Sequence, residues 1–127
     1  MLNLKKIRQD FPLFQKFTNG KPLVYFDNAC MSLKPLPVIK AINEYYTDYP
    51  ACGRSGHKLA DIVTKKVGAA RITITEFINA KHAEEIIFTR NTTEGINLIA
   101  HTLKLKPGDI ILGTDKEHNS NLIPWQI

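Results

Sequence analysis

The chain has 127 residues, 43% of them hydrophobic, with 17 Lys and Arg against 12 Asp and Glu for a formal charge of +5. That apolar share excludes wholesale disorder, and the length fits one domain, since domains commonly run to about 100–200 residues. No apolar run exceeds four residues, where a membrane-spanning helix needs about 20. The opening residues 1–10 have no apolar stretch behind their charges, so no secretory signal is expected.

In chain order, a short helix is predicted over residues 3–10, ended by Pro12, with Phe11, Leu13, Phe14 and Phe17 as apolar anchors. Residues 18–22, Thr-Asn-Gly-Lys-Pro, read as a turn, and residues 23–26, Leu-Val-Tyr-Phe, as a short strand. Pro37 opens a helix that places Val38, Ile42, Tyr45 and Tyr49 on one face, and Pro50 ends it. Residues 51–57 are glycine-rich and unpatterned, hence a loop. A second helix from about residue 59 aligns Val63, Val67, Ala70, Ile74 and Phe77.

The rhythm then changes. Residues 85–89 form a β-rich run, a helix is predicted over 93–103, Pro107-Gly-Asp109 turns, and 110–112 is a second short apolar run. Helices alternating with short strands predict an α/β class: an N-terminal helical segment plus the start of a mostly parallel sheet with crossover helices. Residues 119–121 read as a helix start just before the chain stops at Ile127. Two sheet strands cannot bury the faces of these helices. The expectation is therefore the front part of a larger protein, or one half of a two-chain protein.

Cys30 and Cys52 lie far apart and form no C-x-x-C, which argues against a disulfide framework or a zinc finger and makes the cytoplasm the expected compartment. Neither has a neighbouring charge pattern that marks a lowered thiol pKa, and both read as ordinary small packing or loop residues. Thirteen of the positive charges are lysines, scattered among acids without a basic stripe or interleaved aromatics. No nucleic-acid partner and no membrane partner is expected.

Chemistry concentrates in residues 89–95, Thr-Arg-Asn-Thr-Thr-Glu-Gly, at a predicted strand-to-helix junction. Free N–H groups and the positive end of the macrodipole at a helix start, joined by the Thr92 and Thr93 hydroxyls, suit a phosphate. The plainer alternative is that one threonine merely caps the helix, with Glu94 in its first turn. His118 follows the next predicted strand, so parallel pairing would bring it to the same sheet edge, where open α/β sheets bind ligands. A phosphate cradle beside an imidazole suits a phosphorylated aromatic cofactor. Read alone, His118 is a surface loop residue. Arg90 suits a local ion pair or a phosphate-directed field. His82 in a polar turn and His101 on a helix lack metal-ligand spacing, and no metal site is expected.

Three ordered motifs carry a resemblance to a known family: Leu-Val-Tyr-Phe-Asp-Asn-Ala (23–29), Phe-Thr-Arg-Asn-Thr-Thr-Glu-Gly-Ile-Asn (88–97) and Glu-His-Asn-Ser-Asn-Leu-Ile-Pro-Trp-Gln (117–126). Together they resemble class V aminotransferases, fold-type I pyridoxal-phosphate enzymes, in the cysteine desulfurase and selenocysteine lyase branch. The resemblance runs from about residue 7 to the end and implies part of a PLP-transferase fold.

It implies that Thr93 and the backbone at Thr92 bind the phosphate of pyridoxal 5′-phosphate, and that His118 stacks on its ring and moves protons. Asn28 and Ala29 would lie near an amino-acid substrate, L-cysteine. Arg54 and His57 would shape the active site at a homodimer interface, and a sulfur-acceptor protein would be a partner. The Schiff-base lysine, the ring-nitrogen aspartate, the carboxylate-binding arginine and the persulfide cysteine would lie beyond this chain, which alone would be inactive. Selenocysteine lyase or aminotransferase activity, and a non-catalytic binding or scaffold module, are the alternatives.

The chain departs from the family pattern at four places. Cys30-Met31 stands for Ala-Thr, and Gly53-Arg-Ser-Gly-His57 for His-Arg-Gly-x-His. Asn91 replaces a customary glycine and Asn119 a second histidine.

Overall fold

A computed structural model describes residues 2–126; Ile127, where the expected truncation falls, lies outside them. The elements in order are α1 (Leu4–Gln9), a hairpin of β1 (Phe17–Thr18) and β2 (Lys21–Pro22), α2 (Leu36–Asp48), α3 (Lys58–Phe77), α4 (Thr92–Thr102) and α5 (Asn119–Leu122). The chain divides into two compact units, Met1–Ala70 and Arg71–Ile127, and the division falls inside α3. No helix among the described residues is long and apolar enough to cross a membrane.

The helices form where the 3.6-residue period places them, and each has an identifiable start or stop. Asn3 caps α1 by accepting from the Lys6 N–H at 3.1 Å. Pro37 sits in the first turn of α2, where its missing N–H costs nothing. Beyond Phe77, Asn79 takes the left-handed conformation at φ 57°. The Ala80 N–H then reaches the Thr75 carbonyl at 2.9 Å and the Asn79 N–H the Glu76 carbonyl at 3.2 Å. That closes α3 with the six-to-one and five-to-two bonds of a Schellman motif, with Asn where Gly is usual.

The strands differ from expectation. The only ladder among the described residues is the antiparallel pair β1–β2, joined by Asn19 and Gly20, both at positive φ, as a two-residue type I′ hairpin needs. The predicted turn at residues 18–22 is thus the tip of a hairpin. Among the described residues the runs at 23–26, 85–89 and 110–112 carry no strand pairing, so the expected mostly parallel sheet is not seen in them. A helix satisfies its own backbone from within the segment, whereas a strand must borrow donors and acceptors from a neighbour. These runs have no neighbour to pair with among the described residues. Their side chains lie open accordingly: Phe26 and Leu112 are each 94% exposed.

Within the first unit, Tyr49 and Ala60 are buried. Tyr45 packs edge-on against Tyr49 with ring centroids 5.9 Å apart, and the Lys66 ammonium lies 5.0 Å over the Tyr49 ring while pairing with Glu44 at 2.9 Å. The expected α2 face is only half used, since Val38 and Ile42 remain exposed. The expected α3 face likewise leaves Val67, Ile74 and Phe77 exposed.

In the second unit, Ile86 and Pro124 are buried. Arg71 on α3 donates to the Ile86 carbonyl and lies 4.7 Å over the Phe88 ring. That contact anchors the segment leading into the junction at residues 89–95.

Candidate functional site

The junction begins with a cap that the sequence reading assigned differently. Asn91, not a threonine, is the N-cap of α4: its side-chain oxygen accepts from the Glu94 N–H at 2.9 Å. Thr92 and Thr93 are therefore the first two helical residues, where a helix offers no internal acceptor for their N–H groups. Among the described residues neither hydroxyl is engaged in a hydrogen bond. The asparagine that replaces a glycine thus takes over the capping and leaves both threonines available.

Glu94 occupies the first turn as expected. Its carboxylate accepts from the Arg90 backbone N–H at 2.5 Å and from the guanidinium at 3.3 Å. These bonds, the backbone one foremost, hold the Glu94 carboxyl below the usual carboxylate range. Arg90 is accordingly the local ion-pair partner. A cleft of about 680 Å³ opens along this end of α4, lined by Arg90, Thr93, Glu94, Asn97 and His101 among others.

The second motif folds around α5, and His118 caps it. The ring Nδ1 accepts from the Ser120 backbone N–H at 3.1 Å and lies 2.7 Å from the Ser120 hydroxyl oxygen. His118 is thus not a free loop residue; its orientation is set by a cap. The surrounding letters of the motif form a polar chain. Thr114 donates to Glu117 at 3.0 Å, the Asn121 amide donates to the other Glu117 oxygen at 2.8 Å, and the Trp125 indole N–H donates to Asn121 at 3.2 Å. The Asn121 bond, then that from Thr114, pulls the Glu117 carboxyl below its ordinary range. Asn119, standing where a second histidine is customary, is the first residue of α5.

Thr93 and Asn97 of α4 share an open cleft of about 280 Å³ with Asn119, Ser120, Ile123 and Pro124. The structure thereby brings the α4 start beside the helix that His118 caps. Thr93 brings to this cleft a hydroxyl and an N–H with no internal acceptor, which suits a phosphate, and the helix-capping imidazole of His118 nearby suits an aromatic ring.

The remaining candidates belong to the first unit. Asn28 and Ala29 are exposed in a turn whose Asp27 carbonyl accepts from the Cys30 and Met31 N–H groups at 3.2 and 3.1 Å. The Tyr25 hydroxyl lies 2.6 Å from the Met31 carbonyl and 3.1 Å from that of Asp27, tying the turn to the segment before it. Partial burial, then the Asp27 carboxylate, pushes the Tyr25 phenol up.

Arg54 and His57 are exposed in the loop between α2 and α3, a separate loop from that of Asn28 and Ala29. Thr64 of α3 donates to the Gly53 carbonyl at 2.5 Å, and Tyr45 reaches the Ala51 carbonyl at 3.4 Å. A Cβ at residue 53 would stand 3.1 Å from the Thr64 hydroxyl, so glycine suits the close approach where the family customarily has histidine.

Cys52, in the same loop, overturns the expectation of an unperturbed thiol. The Arg54 backbone N–H, and after it the Arg54 side chain, lower its pKa. Both cysteines are exposed, one in a turn and one in a loop, which fits the loop alternative and not the packing one.

Residues 24–127 match the family model described as Aminotransferase class-V. The chain belongs to the class V aminotransferase family. A probable cysteine desulfurase of Synechocystis sp. is 45% identical over 125 residues, covering 95% of this chain and 30% of that protein. A cysteine desulfurase of Cronobacter sakazakii is 43% identical over 129 residues, covering 98% and 32%. A probable cysteine desulfurase of Mycolicibacterium paratuberculosis is 41% identical over 131 residues, covering 100% and 19%. The chain thus spans between a fifth and a third of these curated relatives' length.

For this class V aminotransferase chain, sequence reasoning missed Asn91 as the cap, Ser120 as the partner of His118, and Thr64 as the tether of residue 53. The first was within reach, because an Asn three residues before a Glu at a helix start is a cap-like spacing. Nothing in the sequence alone pairs residue 64 with residue 53.

Proposed function

We propose that this chain supplies the cofactor-phosphate and ring-binding side of a pyridoxal-phosphate-dependent cysteine desulfurase, which takes sulfur from L-cysteine for iron–sulfur clusters or other sulfur pathways. The observation that carries the reading is the cleft in which the free Thr93 end of α4 meets the helix capped by His118. Bound there, pyridoxal 5′-phosphate supplies an electron sink that weakens bonds at the substrate's amino-bearing carbon.

The residues of the chain supply position and proton handling. Thr92 and Thr93 hold the phosphate with hydroxyl and N–H donors, strengthened by the positive end of the α4 dipole. Arg90 neutralises Glu94, so the carboxylate in the first turn does not repel the phosphate. His118 would stack on the cofactor ring and would exchange a proton at one of its own ring nitrogens. By the resemblance to the family, Asn28 and Ala29 would serve the substrate, and the loop of Arg54 and His57 would help shape the active site at a homodimer interface. The lysine that anchors the cofactor, and the cysteine that passes sulfur to an acceptor protein, come from the remainder of the enzyme. The compartment is the cytoplasm, and neither nucleic acid nor membrane takes part.

The test is sulfide release from L-cysteine, with and without the lysine-bearing remainder of a relative supplied in trans. The reading predicts no release by the chain alone and release on complementation. Release by the pure chain, or no release from a complex that forms and binds the cofactor, would overturn it.

A further inference from the structure

A histidine that moves protons must hold its own proton on one defined nitrogen, and many such rings take their tautomer from a carboxylate. Among the described residues no carboxylate forms an ion pair with His118. The neighbouring Glu117 is already occupied by Thr114 and Asn121. The groups on the ring are instead both from Ser120: its backbone N–H at 3.1 Å and its hydroxyl oxygen at 2.7 Å, each on Nδ1.

A backbone N–H can only donate. Nδ1 must therefore present its lone pair toward Ser120, and the neutral ring must carry its proton on Nε2. The hydroxyl can rotate to donate to the same lone pair, and a proton on Nδ1 would face the N–H and forfeit that bond.

We propose that Ser120 is a positioning residue that fixes His118 as the Nε2-protonated imidazole, leaving Nε2 as the atom through which the ring exchanges protons. The same serine lines the cleft shared with Thr93. One residue thus sets the tautomer, donates the N–H that the His118 cap accepts, and borders the space assigned to the cofactor. The functional consequence rests on the reading of His118 given above; the tautomer itself does not.

The test is nitrogen NMR of the 15N-labelled chain, following the His118 ring nitrogens in its neutral form. The expected result is one acceptor-type resonance for Nδ1 and one protonated resonance for Nε2. In Ser120→Pro, which removes both the backbone N–H and the hydroxyl, the two should converge as the tautomers mix, and in Ser120→Ala, which keeps the N–H, they should stay apart. The Asn121 amide resonance reports whether α5 is still formed in each variant. A wild-type ring protonated on Nδ1, or a Ser120→Pro ring identical to wild type with α5 intact, would overturn the proposal.

In the completed enzyme, Ser120→Pro should lower kcat with little change in KM, and Ser120→Ala, which retains the N–H, should lower it less. A tautomer that mixes while kcat is unchanged supports the assignment of Ser120 and removes His118 from the proton-transfer step.

Discussion

The α4 and α5 starts differ from the loops at residues 27–31 and 51–57 in how they hold the groups assigned to chemistry. In the second unit, Thr92, Thr93 and His118 stand in or at the first turn of a helix, and each start has its own cap. In the first unit, Asn28, Ala29, Arg54 and His57 stand on exposed loops held by backbone turn bonds and by side-chain tethers from Tyr25, Tyr45 and Thr64. Helical donors have directions fixed by backbone geometry, whereas loop side chains depend on a few tethers. Groups at a helix start are thus oriented by an element that folds locally, whereas the groups on the loops depend on tethers from elsewhere in the unit.

The sharpest way to break this comparison is at His118. In the completed enzyme, His118→Ala should lower turnover by about 10²–10⁴-fold, the usual scale for a lost acid–base group, with a smaller effect on cofactor affinity. Because the alanine also loses the α5 cap, His118→Asn is the companion variant: it keeps a capping acceptor but cannot exchange protons. Steady-state kinetics should show both variants slow, and full activity in His118→Asn would reduce the ring to a cap.

Next in size is Thr93→Ala, which removes a hydroxyl donor to a charged phosphate. Such bonds are worth about 1.5–3 kcal/mol, so pyridoxal-phosphate affinity should fall by about 10–100-fold in a titration. Unchanged affinity would return Thr93 to an ordinary helix residue. Asn91 gives a smaller effect. Asn91→Ala should cost about 1 kcal/mol in urea unfolding, whereas Asn91→Gly, the residue customary at this position, should cost only a few tenths.

The smallest expected effect is on acid stability. The Glu94 and Glu117 carboxyls sit below their ordinary value of 4.5 in the folded chain, through Arg90 and through Asn121 with Thr114. A lowered folded pKa gives stability that is present above 4.5 and is lost as the pH falls through the folded value. Circular dichroism during acid titration should therefore show loss of helix below that value, and the loss should shrink in Glu117→Gln. An unchanged acid profile in that variant would place the sensitivity elsewhere.

Most of the helical architecture was legible in the sequence because helices are written locally. The residues for α2, α3 and α4 showed the apolar period, the proline that opens α2 and the one that follows it. The parallel sheet was not legible in the same sense: a run such as 110–112 has the composition of a strand, but pairing needs a partner segment, and none of the described residues provides one. At the site, residue types and their spacing pointed to Thr92, Thr93 and His118. The sequence did not reveal that Asn91 rather than a threonine carries the α4 cap, or that Ser120 holds the imidazole. The lowered Cys52 thiol escaped for a similar reason, since its cause is first a backbone N–H, which no side-chain pattern records.

The most direct measurement uses the single tryptophan of the chain, Trp125, which is hydrogen-bonded into the α5 motif. Its fluorescence should be quenched on titration with pyridoxal 5′-phosphate. Inorganic phosphate should compete, and pyridoxal lacking the phosphate should bind far more weakly. Equal quenching by pyridoxal with and without its phosphate, or no saturable quenching at all, would contradict the assignment of the α4 and α5 starts as the cofactor-binding side of the enzyme.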